Sequence, residues 1–126
     1  MSRRSARSMM VAGSLARLSY ALGLLLAPES MSRLRLAPAH ADAYGRMTTR
    51  AFGAVHTNVS LLTLKAALQR RDEKVALALN LGCDLGDLIA TLLERRNGDL
   101  PDMAAVGSVA VQSTGMAIWI TALRNL

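Results

Sequence analysis

The chain has 126 residues, room for one domain, and 52% of them are hydrophobic with a positive mean hydropathy, more apolar than an ordinary soluble domain of this size. Aromatic residues make up only 3%, while Ala, Leu, Val, Met and Gly run in long blocks, the composition of helices that pack closely in lipid. The net charge of +6 gathers at the ends of these blocks without a basic stripe interleaved with aromatics, which excludes nucleic acid as a partner and leaves anionic lipid headgroups; the single Cys83 excludes an internal disulfide.

A short basic head with Arg3, Arg4 and Arg7 precedes the first apolar run, residues 9–27, which is interrupted only by Arg17. A signal peptide is the rival reading. Arg17 would break its apolar region and no small-x-small cleavage site follows, so the run is expected to be a retained transmembrane helix that Pro28 ends. The connection that follows holds Arg33, Arg35, Pro38 and His40, and its Met31, Leu34 and Leu36 among basic residues suit a headgroup-level segment. Asp42 is placed to cap the next helix.

The second span, residues 47–68, carries Arg50 near its start, His56 and Asn58 near its middle and Lys65 near its end, where long cationic side chains reach the interface. A polar turn, residues 69–74, leads to the third span, residues 75–93. There Asn80, Asp84 and Asp87 sit among apolar residues, and Gly82 and Gly86 form a small-xxx-small pair that invites a neighbouring backbone. After a turn with Asn97, Gly98 and Pro101, the fourth span, residues 103–123, has no charge. Gly107 and Gly115 offer close packing, and Trp119 lies near the end as an interfacial anchor would. The fold expected is therefore all-α: one integral membrane domain, an up-down-up-down four-helix bundle. The basic residues fall slightly more to the side of the two termini, so the positive-inside rule puts both in the cytoplasm of a multi-pass plasma (inner) membrane protein.

Two aspartates in a water-poor interior need partners. In an alternating bundle the first and third helices are parallel, and Arg17 and Asp84 both lie at mid-span, so they are expected to pair. Asp87 lies about 4.5 Å further along, toward the level of Arg50, which gives a second expected pair. Asn58 and Gln112 fall at similar depth, and with His56 and Asn80 they suggest one internal polar layer drawing on all four helices. Such a layer reads first as a staple that fixes helix register and second as a quinone or proton site. His56 has no second histidine at membrane depth and Cys83 beside an acid has its thiolate disfavoured, so no metal, haem or other cofactor is expected.

Three stretches match a known group: Leu26-Ala27-Pro28 at the end of the first helix, Arg50-Ala51-Phe52-Gly53 opening the second, and Asp84-Leu85-Gly86-Asp87 in the third. In these the chain resembles small four-helix membrane proteins related to the DoxX-like families. The group would carry a further basic residue and an acid soon after the glycine, where this sequence reads Ala54, Val55, His56, Thr57. The resemblance implies a four-helix membrane fold and no established activity. With no catalytic constellation in the chain, the expected role is a non-catalytic accessory or scaffold subunit, or a lipid-binding protein, with membrane lipids and a membrane-protein partner or a second copy as its company. The alternative is a small quinone-linked or redox membrane enzyme subunit using the Arg and Asp layer.

Overall fold

The computed structural model describes residues 2–34, 42–98 and 102–126, with side chains in the last stretch described from Ala105 onward. Arg35, Leu36, Pro38, His40 and Pro101 lie outside the described residues. Five helices follow in order: α1 (Arg3–Leu26), α2 (Pro28–Arg33), α3 (Ala43–Gln69), α4 (Glu73–Asn97) and α5 (Asp102–Arg124), with no strand among the described residues.

The ends of the helices follow local chemistry. Ser2 Oγ accepts from Ser5 N at 3.2 Å to cap α1, and Asp42 Oδ1 accepts from Gly45 N at 2.8 Å to cap α3. Ala27 leaves helical geometry at φ −136°, and Pro28, which has no N–H to give, becomes the first residue of α2. Within α2 the buried Met31 packs back on α1, while Arg33 and Leu34 are exposed. The Met31 sulfur lies 2.7 Å from where a Cβ on Gly23 would stand. Only Arg70, Arg71 and Asp72 separate α3 from α4, and Gly98 closes α4 at φ +83°.

The four long helices form a ring. α1 lies beside α3 and α5, and α4 lies beside the same two, while the backbones of α1 and α4 face each other across the middle without touching. Packing is tightest within the pairs α1/α3 and α4/α5 and sparser between the pairs. Consecutive long helices run antiparallel: on α3 and α4, Thr63 meets Asn80 and His56 meets Asp87, so one number falls by seven as the other rises by seven.

Small residues set the close approaches, although not at the positions expected. A Cβ on Gly53 would stand 2.7 Å from both Ala21 O and Leu25 N, which makes this glycine the point where the α1 and α3 backbones touch. Gly13 makes room for the Trp119 ring, since its Cβ would stand 2.6 Å from Cη2. Gly115 does the same for the Asp84 carboxylate, at 2.8 Å from Oδ2. Gly82, Gly86 and Gly107, expected to receive neighbouring helices, meet nothing within 4 Å. The reason is rotational: on α4 the face turned to the ring's centre carries Asn80, Asp84 and Asp87, so Gly82 and Gly86 point outward.

Polar groups are buried while many large apolar side chains are exposed. The buried set joins alanines and a cluster around Met10, Leu77 and Trp119 to Ser14, His56, Ser60, Thr63, Asn80, Asp84 and Thr91, whereas Leu15, Leu22, Leu61, Leu62, Leu79, Ile89 and Val111 stand on the outside. Three helices, Arg3–Leu26, Glu73–Asn97 and Ala105–Arg124, are long and apolar enough to cross a membrane. The expected second span is not among them. At 27 residues α3 has the length, but Arg46, Arg50, His56, Asn58 and Lys65 lower its hydropathy.

Gly53→Ala is expected to pry α1 from α3 and to lower stability by about 1–3 kcal/mol. The same change at Gly82, which meets nothing, is expected to be neutral or stabilising by less than about 1 kcal/mol through helix propensity. Reversible unfolding of both variants in mixed micelles measures the difference.

Candidate functional site

The inward face of each long helix repeats at alternating steps of three and four residues. On α4 it reads Glu73, Leu77, Asn80, Asp84, Asp87, Thr91; on α1, Arg7, Met10, Ser14, Arg17, Ala21, Leu24. On α3 the face holds Gly53, His56, Ser60, Thr63 and Ala67, and on α5 it holds Ala105, Ser108, Gln112, Gly115, Trp119 and Ala122. This is the spacing of a left-handed helix seam, with polar and small side chains at most of the positions that leucines would fill in a soluble seam and Met10, Leu24, Leu77 and Trp119 at others. A polar group there has only other helices to bond to.

At the centre, Arg17 reaches from α1 across the ring to α4. Its Nη2 donates to Asp84 Oδ1, and its Nη1 donates to Asn80 Oδ1 at 2.6 Å. The Asn80 amide nitrogen donates to Thr63 Oγ1 at 2.6 Å and to the Ala76 carbonyl at 2.8 Å. Trp119 Nε1 donates to Asp84 Oδ2 at 2.8 Å, and the Arg17 guanidinium carbon lies 5.2 Å from the indole centroid, within reach of the ring's negative face. Both Asp84 oxygens and every polar atom of the Asn80 side chain are therefore engaged. A buried carboxylate held by a cation and a second donor is the arrangement under which burying the charge is tolerable.

One turn along, His56 Nε2 and Asp87 Oδ2 are 3.2 Å apart, with the imidazole tilted against Phe52 at a centroid distance of 4.1 Å. An Nε2–H donates to the carboxylate in either the neutral or the charged form of the ring. A turn further, Thr91 Oγ1 and Ser108 Oγ are 3.0 Å apart, and the Gln112 amide donates to Ser108 Oγ at 2.9 Å. At the opposite end, Arg7 Nε and Nη2 donate to Glu73 Oε1 and Oε2 at 2.5 and 3.2 Å.

Of the residues read from sequence, the structure brings Arg17, Asn80 and Asp84 into direct contact and places Gly115 against the Asp84 carboxylate. Asp87 is met by His56 rather than by Arg50. Arg50 lies six residues from His56, about 9 Å of rise and about 120° around the axis, on the exposed side of α3, and no ion pair includes it among the described residues. Asn58 is also exposed, and its amide donates to its own helix at the Ala54 carbonyl, 3.0 Å away. Gln112 sits in the separate Thr91 tier, so the single expected layer is a column of tiers along α4.

Trp119 is 1% exposed, and its indole belongs to the network rather than to an interface. In the sequence Trp119 is marked only by its place near a helix end, and Thr63, Ser108 and the Arg7–Glu73 pair carry no signal but their register. The three-four spacing would have found all of them.

Asn80→Ala removes the acceptor of Arg17 Nη1 and the donor to Thr63 Oγ1, which keeps its own bond to the Val59 carbonyl, and is expected to cost about 1–3 kcal/mol. Asn58→Ala, on the outer face, is expected to stay within about 0.5 kcal/mol of the parent. Unfolding midpoints and slopes of the two variants in the same detergent separate the inward asparagine from the outward one. No protein-family model, no curated protein and no solved structure matches the chain, so its function is read from this geometry.

Proposed function

We propose that the chain is a non-catalytic integral membrane protein, a four-helix up-down-up-down bundle that serves as an accessory or scaffold subunit of a larger membrane complex. The observation that carries this reading is where charge and apolar surface sit: Arg17, Asn80, Asp84 and Trp119 bond to one another at the centre of the ring, while leucine, isoleucine and valine cover much of the outside. In water such an exterior is an aggregation hazard; in lipid it is the solvent-facing surface.

The same observation supports α3 as a fourth span. Its His56, Ser60 and Thr63 are buried inside the ring, and its outward face carries Val55, Leu61 and Leu62, so its low hydropathy comes largely from side chains that lipid never meets. Arg50 and Lys65 lie toward the two ends, where their stems let them snorkel, and Asn58 bonds to its own backbone. Both termini then lie on one side, the cytoplasmic side of the plasma (inner) membrane by the distribution of basic residues.

A scaffold role follows from the way the central groups are used. Asp84, Asn80 and Arg17 spend their polar atoms on one another, which suits a fixed register better than a site that opens for a substrate. The outward Gly82 and Gly86 leave room for a neighbouring transmembrane helix. The second reading, a quinone-linked redox subunit, draws on the His56–Asp87 tier, where the carboxylate is 24% exposed and therefore reachable from outside the ring. The DoxX-like resemblance agrees with the fold of either reading and assigns neither activity.

Native membranes solubilised in mild detergent test the choice. The chain is expected to remain in the pellet after an alkaline carbonate wash and to co-purify with a second membrane protein or another copy. A lone monomer without a bound neighbour would exclude the scaffold role. Absorbance of a cofactor in the purified protein, with turnover abolished in a folded Asp87→Asn variant, would favour the redox subunit.

A further inference from the structure

At the end of the molecule where α1 begins and α3 finishes, an open groove of about 490 Å³ runs between the two helices. Its rim is cationic, formed by Arg4, Arg7 and Arg70, and its floor is apolar, formed chiefly by Val11, Leu15 and Leu68. The floor descends along α1, so that Leu15 stands about 12 Å deeper than Arg7. Leu15 and Leu68 are 50% and 74% exposed, so the floor is open to an occupant.

The three arginines differ in their commitments. Arg7 is oriented by its two bonds to Glu73. Arg4 and Arg70 are exposed, and neither enters an ion pair among the described residues. Arg70 also closes α3 in the left-handed region, at φ +55°, where glycine would sit without steric cost. An arginine there accepts backbone strain and sets its side chain on the groove. Among the described residues Glu73 is the only acid bonded to a rim arginine, so the three arginines keep an excess of positive charge.

We infer that this groove binds a phospholipid with an anionic headgroup. The phosphate lies between Arg4 and Arg70, whose planar donors match phosphate oxygens, and an acyl chain lies along Val11, Leu15 and Leu68. A free phosphate would engage the rim and leave the apolar floor uncovered, while a zwitterionic lipid would cover the floor and bring a second positive charge to the rim. The volume also exceeds what a bare anion fills. The inference rests on the membrane reading above, since only a bilayer puts the rim at headgroup level and the floor at acyl depth.

The full-length protein in mild detergent, mixed with equal amounts of phosphatidylglycerol and phosphatidylcholine, tests this by native mass spectrometry. The parent is expected to retain phosphatidylglycerol about 30-fold over phosphatidylcholine, the factor that two guanidinium groups at an anionic headgroup supply. Arg4→Gln combined with Arg70→Gly, the latter suited to the left-handed cap, is expected to reduce the preference below about threefold with unfolding unchanged. Arg4→Gln alone should fall between. Leu15→Asn should lower retention of both lipids and leave their ratio intact. Equal retention of the two lipids by the parent, an unaltered ratio in the double variant, or full displacement of the lipid by millimolar inorganic phosphate would each overturn the proposal. Release by the alkaline wash would instead remove the membrane reading itself.

Discussion

The contact between Arg17 and Asp84 crosses the middle of the helix ring, and the arrangement around it follows from the need to keep two buried charges satisfied. Moving a carboxylate and a guanidinium out of water costs several kcal/mol each, and their attraction compensates only when the remaining lone pairs and protons also find partners. Asn80 takes the second Arg17 nitrogen, and Trp119 supplies a donor to the second Asp84 oxygen. Gly115 keeps α5 free of a side chain that would collide with the carboxylate, and Gly13 makes the space on α1 that the indole occupies. Four helices thus contribute to one satisfied pair, with α3 entering through Thr63 and Asn80.

The pair also joins the two halves of the fold. α1 packs closely on α3, and α4 on α5, while the seam between these pairs is looser and is crossed by polar contacts. The partners divide along it: Arg7, Arg17 and His56 come from the first pair, and the carboxylates of Glu73, Asp84 and Asp87 from the second. On the membrane reading proposed above, burial of apolar surface does not drive helices together, and such a division specifies which hairpin meets which and in what register. Individual interhelical hydrogen bonds in membranes average only about 0.6 kcal/mol. On that reading the column along α4 contributes more to the choice of arrangement than any one of its bonds contributes to stability.

Part of this was legible in the sequence. The all-helical fold followed from long apolar runs, and the contact of Arg17 with Asp84 followed from comparing depth in two parallel helices. Depth alone fails where rotation decides. Arg50 is near the level of Asp87 along the chain and on the wrong side of α3, whereas His56 shares the inward face with Ser60 and Thr63. Gly82 and Gly86 carry a packing motif on a face that meets no other helix of this chain, and Trp119 looks interfacial until its register with Gly115 and Ala122 is counted. The usual hydrophobic periodicity is weak here, because many of the repeating inward positions are polar or small and many large apolar residues face outward. The low hydropathy of α3 illustrates the same point: averaging over the helix mixes buried polar residues with the apolar ones outside.

A double-mutant cycle on Arg17→Leu and Asp84→Leu, read by unfolding in a single detergent, tests the central pair most directly. Each single variant leaves one buried charge without its partner and is expected to lose about 3–5 kcal/mol, whereas the double variant, with neither charge present, is expected to lose less than the larger single loss. The coupling should then exceed about 2 kcal/mol. Losses that simply add, or a single substitution that leaves stability unchanged, would contradict the account.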